Sequence, residues 1–311
     1  MATANLNAAR SSALGAVKKH KKKKSILAAK WFHVIVVLLF LIFIFSTSRP
    51  RDVLGQLTNN VSTSTLPSTK AYKCNKEPVY DNLILSQSGE DRQLIWGKGI
   101  RFDKICGGSY IEMGALDGIH FSNSFVFNKA LDWKGLLIEA SPTNYEALEN
   151  NRKEEIALIH AGVCGQERDL HWVDKPKKHA VGGFVEFAAE SFQKKWWNEN
   201  DIKYAKVVRC RTMKNILLET VGKNYHFDFY SLDVEGAEAE VLSSIDFSKV
   251  SFGVIFVEAD QHNPQKNDDV KKILNDNGYE FLYNIRNSDW FRHRDLREIY
   301  KDIITFPPDD P

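Results

Sequence analysis

Residues 109–141 read SYIEMGALDGIHFSNSFVFNKALDWKGLLIEAS. An apolar run, Tyr110–Met113, enters the turn Gly114-Ala115-Leu116-Asp117-Gly118. A helical stretch follows, then a second apolar run, Gly135–Ile138, ending at Glu139. Short apolar runs of this kind predict strands buried on both faces of a parallel sheet. A glycine-bearing turn between strand and helix lets backbone approach a ligand closely. An acid about twenty residues past the turn, ending the next strand, is placed to take two ribose hydroxyls. The stretch is expected to be a nucleoside-binding βαβ unit.

Downstream the same rhythm continues. Ser141-Pro142 starts a helix, with Ser as N-cap and Pro at the first helical position. Ile156–Val163 is expected as the third core strand, Lys206–Cys210 as a short strand, and Thr212 as the cap of the next helix. Phe227–Leu232 is the expected fourth core strand, ending in Asp233-Val234-Glu235-Gly236, and Phe252–Val257 the fifth, ending at Glu258. Tyr279–Tyr283 and Trp290–His293 complete the set, the last as a candidate antiparallel strand. Strands alternating with helices predict an α/β fold, a Rossmann-like, doubly wound, mostly parallel seven-stranded sheet. Residues 166–205, aromatic and charged, interrupt the rhythm and read as an insertion near the site mouth. Phe192, Trp196 and Trp197 within it either face substrate or, the better-founded reading, pack the insertion onto the domain.

Upstream, composition changes. The whole chain carries a net charge of +2, yet residues 1–51 hold ten Lys and Arg and no acid. The remainder therefore has 32 basic against 40 acidic residues, a net charge of −8, which argues against a nucleic-acid-binding domain. Lys18–Lys24 (KKHKKKK) precedes the apolar run Trp31–Phe45 (WFHVIVVLLFLIFIF). With its flanks this run is long enough for a single transmembrane helix over residues 26–48. Positive charge upstream keeps a basic tail, residues 1–25, in the cytosol and places the C-terminal domain in the lumen. The expectation is a single-pass type II protein of the Golgi or endoplasmic reticulum. A cleaved signal peptide is the competing reading, and some thirty residues before the apolar run make a long n-region for it. Residues 49–71, rich in Ser, Thr and Asn, read as a flexible stem carrying the sequon Asn60-Val61-Ser62, and residues 72–311 as the folded domain.

Cys74, Cys106, Cys164 and Cys210 all follow the apolar run and match no zinc signature. In an oxidising lumen they permit two disulfides in three connectivities, of which Cys74–Cys106 and Cys164–Cys210 are favoured by position.

Ligands of such sheets sit at the carboxyl ends of the strands, where Glu139, Asp233, Glu235 and Glu258 fall. Glu112 lies inside an apolar strand, costly unless paired or bound to a ligand. Neither GxGxxG nor a P-loop occurs, and an acid in the turn repels pyrophosphate. The charge pattern favours S-adenosylmethionine, which has an ammonium, a sulfonium and a ribose but no phosphate. His226 and His262 are further candidate bases.

Several segments taken in order resemble FkbM-family methyltransferases: SQSGEDR (86–92), YIEMGALDGIHFSNS (110–124), WKGLLIEA (133–140), Asn151-Arg152, YSLDVEGAEAE (230–240) and Val257-Glu258. The resemblance implies a class I fold and methyl transfer from S-adenosylmethionine, typically to oxygen. It implies that Glu112, Gly114, Ala115, Gly118 and Asn123 form the cofactor loop, with Asp117 near the amino-acid end. Glu139 would hold the ribose and Ala140 lie near the adenine. Asp233 and Glu235 would face the methyl group and a hydroxyl-bearing acceptor; no residue is assigned to a metal. A second reading is a non-enzymatic, Star-like protein that uses the domain behind its anchor to assist trafficking of membrane-bound ligands.

Overall fold

Both faces of each central strand are apolar, and this decides the architecture. The computed structural model describes residues 69–97, 101–175, 181–234, 236–259, 264–304 and 306. All lie within the compact unit Thr65–Pro311. The chain enters through an antiparallel pair, β1 (Tyr72–Lys73) and β2 (Ile105–Cys106). Cys74 and Cys106, with Cα atoms 5.1 Å apart, bridge this entry.

A seven-stranded sheet follows. It is built from β3 (Ser109–Met113), β4 (Lys134–Glu139), β5 (Ala157–His160), β10 (Tyr225–Leu232), β11 (Val250–Glu258), β12 (Tyr279–Ile285) and β13 (Ser288–His293). Their order is β12-β13-β11-β10-β3-β4-β5. The five strands from β11 to β5 are parallel, and β13 pairs antiparallel with both β11 and β12. Alternate residues feed two cores. Ile111, Met113, Leu136, Ile138, Tyr230, Leu232, Ile255 and Val257 pack with the helices Met213–Thr220, Glu238–Ser243 and Pro264–Asp276. Tyr110, Leu137, Phe229, Val254 and Phe256 pack on the other face with Leu94, Phe127, Leu148 and Trp133. From β3 the chain builds outward to β4 and β5 on one side and returns to β10 and β11 on the other. The switch point thus lies between β3 and β10, where a crevice opens above the strand ends.

Local signals hold at the helix starts. Ser141 Oγ accepts from Asn144 N, with Pro142 in the first turn, and Thr212 accepts from Asn215 N.

Residues 162–211 depart from expectation. Ile156–Val163 is not one strand: β5 stays in the main sheet, whereas β6 (Gly162–Val163) leaves it. β6 joins β7 (Arg168–Val173), β8 (Gly183–Phe184) and β9 (Lys206–Arg211) in a separate sheet of order β6-β9-β7-β8. The expected strand at Lys206–Cys210 therefore belongs to this second sheet, pairing antiparallel with β7. The Cys164–Cys210 disulfide, with Cα atoms 6.0 Å apart, closes the insertion at its base.

Among the described residues no helix is long and apolar enough to cross a membrane. The expected tail, the span at 26–48, the sequon at Asn60, nearly all of the stem, Glu235 and His262 lie outside them.

Candidate active site

The first loop is shaped by close approach. Gly114 has φ +78°, and a Cβ there would lie 2.2 Å from the Asp233 carbonyl oxygen. Only glycine lets the end of β3 pass this close to the end of β10. Gly118, at φ +77°, would drive a Cβ into Arg152 Cγ and Leu148 Cδ1. The turn is therefore locked against the helix Pro142–Asn151.

Buried Glu112 is committed to the chain. Its carboxylate accepts from Ser122 Oγ at 2.9 Å, Asn123 N at 2.6 Å and Ser124 Oγ. Burial pushes its pKa up, opposed by the nearby Arg152 guanidinium and these donors. Arg152, 1% exposed, donates to Gly118 O at 2.7 Å, Tyr110 Oη at 2.7 Å and Ser124 Oγ at 3.0 Å, and pairs with Glu155. Glu112 and Arg152 thus fasten both ends of the loop 118–124. An acid in an apolar strand is here satisfied by its own protein.

Glu139, also 2% exposed, ends β4 as expected. Its Oε2 accepts from Leu116 N at 2.8 Å and its Oε1 from Ser141 N at 2.7 Å, tying the first loop to the next helix cap. Burial raises its pKa to about 7 despite these donors. The Asn144 side chain hydrogen-bonds the same carboxylate, which leaves one of its four lone pairs for a ligand hydroxyl.

The second loop begins where β10 ends. The register Leu232↔Val257 sets Asp233 beside Glu258, and the two carboxyls hydrogen-bond. Glu90, at the start of the helix Glu90–Trp96, reaches the same end, accepting from Ser88 N and Ser288 Oγ, each at 3.1 Å. Asp233 is exposed to the crevice, with protein crowding around it. Enclosure by protein, then the neighbouring Glu238 and Glu90, hold its pKa well above the carboxylate range, with Lys266 opposing.

These features enclose a cavity of about 470 Å³. Glu112, Gly114, Asn123, Glu139, Ala140 and Asp233 all line it, so one crevice gathers most of the residues expected to act there. Ala115, Asp117 and Gly118 are not among its lining residues. Ala115 is buried in the core, and Gly118 packs on Arg152. Asp117 folds back on its own turn, accepting from Ile119 N at 2.9 Å and His120 N at 2.7 Å. His226 is likewise remote, the second residue of β10, about 20 Å along the strand from Asp233. It contacts Ser251 Oγ and Tyr300 Oη instead.

The insertion supplies the far wall. Trp172, Phe184, Phe192, Trp196 and the exposed Lys195 line the cavity beside Ala140, Ala161 and Gly162. Phe192 and Trp197 meet edge to face at 5.6 Å, so part of the aromatic set packs the insertion as expected. Ser288, from the antiparallel β13, carried no sequence signal; Trp172 and Phe184 were visible only as aromatic residues of the insertion. Two buried polar atoms of lining side chains, Asn123 Oδ1 and Trp172 Nε1, have no hydrogen-bond partner. Such atoms are costly without a ligand or water.

Structural comparison finds similar α/β proteins at low identity. The FkbM methyltransferase of Methylobacillus flagellatus is 12% identical with a TM-score of 0.39, over 67% of this chain and 48% of its own. The chain thus spans about half the length of that protein. A precorrin-6y C5,15-methyltransferase from Geobacter metallireducens is 12% identical with a TM-score of 0.33, over 68% of this chain and 89% of its own. Aeropyrum pernix fibrillarin, solved with natively bound S-adenosyl-L-methionine, is 11% identical with a TM-score of 0.32, over 60% and 66%. No curated protein sequence matches the chain. The methyltransferase FkbM domain model matches residues 112–281, from the Glu112 loop past the acidic strand ends at Glu139, Asp233 and Glu258 and more than half of the chain. The chain belongs to the FkbM methyltransferase family.

Proposed function

We propose that the cavity binds S-adenosylmethionine and that the domain transfers a methyl group to a hydroxyl of a glycan, lipid or small molecule in the secretory pathway. The observation that carries this reading is the charge of the cavity. Glu90, Glu112, Glu139, Asp233 and Glu258 line it, while Lys195 is the sole basic group among its described lining residues and lies exposed. Such a crevice suits a cationic ligand without phosphate. The glycine cradle at Gly114 and the unpartnered Asn123 Oδ1 and Trp172 Nε1 fit a ligand of this size with polar edges. When bound, S-adenosylmethionine supplies an electrophilic methyl group on sulfur.

The chain's own residues then have separable tasks. Glu139 offers its remaining lone pair to a ribose hydroxyl, and Ala140, Gly162 and Trp172 flank the position beside it. Asp233 takes the acceptor hydroxyl's proton, while Glu258, hydrogen-bonded beside it, holds the proton of that bond. Glu235 has its part in the same motif. The aromatic wall of the insertion excludes water and receives the acceptor.

The compartment is part of the proposal. The apolar segment 26–48 serves as a type II anchor and the domain works in the lumen of the Golgi or endoplasmic reticulum. Two disulfides support an oxidising compartment.

The Star-like, binding-only reading gains from one observation. Glu112 and Glu139 hold the first loop through their own hydrogen bonds, so a domain without activity also needs them. Calorimetric titration of the full-length chain in detergent with S-adenosylmethionine separates the two. The methyltransferase reading expects binding, and transfer of labelled methyl to a membrane lipid and glycan extract. Asp233→Asn should abolish the transfer and weaken binding by no more than about fivefold, the effect of one partly screened charge. A folded protein that does not bind would leave only the binding-module reading.

A further inference from the structure

Behind Asp233 lies a charged pair that sequence reading did not single out. β10 ends at Leu232, and the chain turns through Asp233, Val234 and Gly236 into the helix Glu238–Ser243. Glu238 Oε1 accepts from both Val234 N and Gly236 N at 3.2 Å, so one carboxylate holds the whole turn. Its Oε2 meets Lys266 Nζ at 2.9 Å, with side-chain exposures of 0% and 2%. Lys266 comes from the helix Pro264–Asp276, which follows the strand ending in Glu258. Removing two charges from water costs several kcal/mol per ion, and neutral residues of similar volume commonly replace such pairs without loss. Packing alone does not require it.

We propose that Lys266 and Glu238 are positioning residues for Asp233: Glu238 fixes the turn that presents it to the cavity, and the pair sets the charge environment in which it ionises. This rests on the methyltransferase reading of the cavity. The charged groups facing Asp233 are Glu238 on the following helix, Glu90 on the helix Glu90–Trp96, Glu258 on β11 and Lys266 on the helix Pro264–Asp276. Three are acids and one is a cation. Without Lys266, Glu238 would be an uncompensated buried anion beside a carboxyl that must itself become anionic. With it, the turn keeps its carboxylate clamp while Asp233 ionises within reach of neutral pH. The register Leu232↔Val257 carries the coupling further, since Asp233 and Glu258 sit side by side on strands joined through this corner.

The test follows affinity for S-adenosylmethionine against pH in the full-length chain. A cationic ligand should bind about fivefold tighter once Asp233 ionises, and Asp233→Asn should flatten that rise. Glu238→Gln keeps an acceptor oxygen for Val234 and Gly236 but removes the largest of the neighbouring repulsions on Asp233. Its rise should move about one pH unit to the acid side, with the limiting affinity retained. Lys266→Arg keeps the cation and should behave as wild type. Should Glu238→Gln fail to fold, the double variant Glu238→Gln/Lys266→Met leaves no charge unpaired and should still move the rise to the acid side, by less. A folded variant that binds with an unmoved rise overturns the assignment of the pair alone. Wild-type protein that does not bind overturns the methyltransferase reading, and the assignment with it.

Discussion

β10 carries one aspartate near its start and another just past its end, and the two are treated in opposite ways. Asp228 is 0% exposed, and every partner is supplied by the chain: Tyr300 Oη at 2.7 Å, Thr69 Oγ1 at 2.5 Å and Ser109 N at 2.7 Å. Asp233 opens to a crevice, beside Glu90 and Glu258. Both pKa values are raised. At Asp228 the cause is full burial, which its donors oppose. At Asp233, exposed to the crevice, it is the protein crowded around it, and neighbouring acids add to the rise. A raised carboxyl therefore does not mark a site. What marks it is whether the surroundings leave work for a ligand. The end of the sheet around Asp228 is a closed latch, joining the chain's entry at Thr69, its exit at Tyr300 and the first residue of β3. The end around Asp233 is built to be completed.

The strongest way to break this comparison is to remove each aspartate. Asp228→Ala strands the Tyr300 and Thr69 hydroxyls and the Ser109 amide. At about 1 kcal/mol per orphaned donor, urea denaturation should show a loss of about 3 kcal/mol, with ligand affinity of the folded fraction unchanged. Asp233→Ala should cost less than about 1 kcal/mol, because relief of repulsion among the acids offsets the lost bond to Glu258. Equal losses at the two positions would mean that both ends are structural.

The pH dependence of stability sharpens the contrast. His226 sits at the closed end, where burial depresses its pKa from 6.5 to about 3. The unfolded chain binds that proton first, so the contribution is complete above pH 6.5 and falls as pH drops toward 3. The loss is about 1.4 kcal/mol per pH unit at most. Glu139 at the open end has the opposite sign. Its folded pKa of about 7 lies above the ordinary 4.5, so the folded state holds the proton and stability declines as pH rises between those values. Between pH 4.5 and 6.5 the two slopes oppose. His226→Gln should remove the rising slope and Glu139→Gln the falling one in denaturation series across this window. If neither variant changes the pH profile, the two carboxyl and imidazole environments do not differ as described.

Much of the open end was legible because its signals are local. Gly114, Glu139 and Asp233 are fixed by where strands end, and Ser141-Pro142 and Thr212 announce their helices by cap chemistry. The favoured cysteine pairs, Cys74–Cys106 and Cys164–Cys210, are the ones present. What escaped depends on pairings far apart in sequence. Lys206–Arg211 reads as a short strand, and nothing in its own residues says that it pairs with Arg168–Trp172 rather than with the central sheet. Asp228 gives no local signal of its role, because its partners lie 159, 119 and 72 residues away. Glu112 looked like a ligand group because an acid in a strand is expensive, yet three donors only ten to twelve residues downstream satisfy it. Cost shows that a partner exists; it does not show whether the partner is a ligand.

Asp117 carries that distinction to the smallest effect. The family resemblance placed it at the cofactor's amino-acid end, but its Oδ1 accepts from Ile119 N and His120 N, a local turn at the surface. Solvent can replace such bonds, so Asp117→Ala should cost at most about 1 kcal/mol in stability. Affinity for S-adenosylmethionine should stay within about twofold, since the residue does not line the cavity. A tenfold loss of affinity at unchanged stability would instead show that Asp117 leaves its turn to meet the ligand. The open end would then extend one loop further than the unliganded geometry draws it.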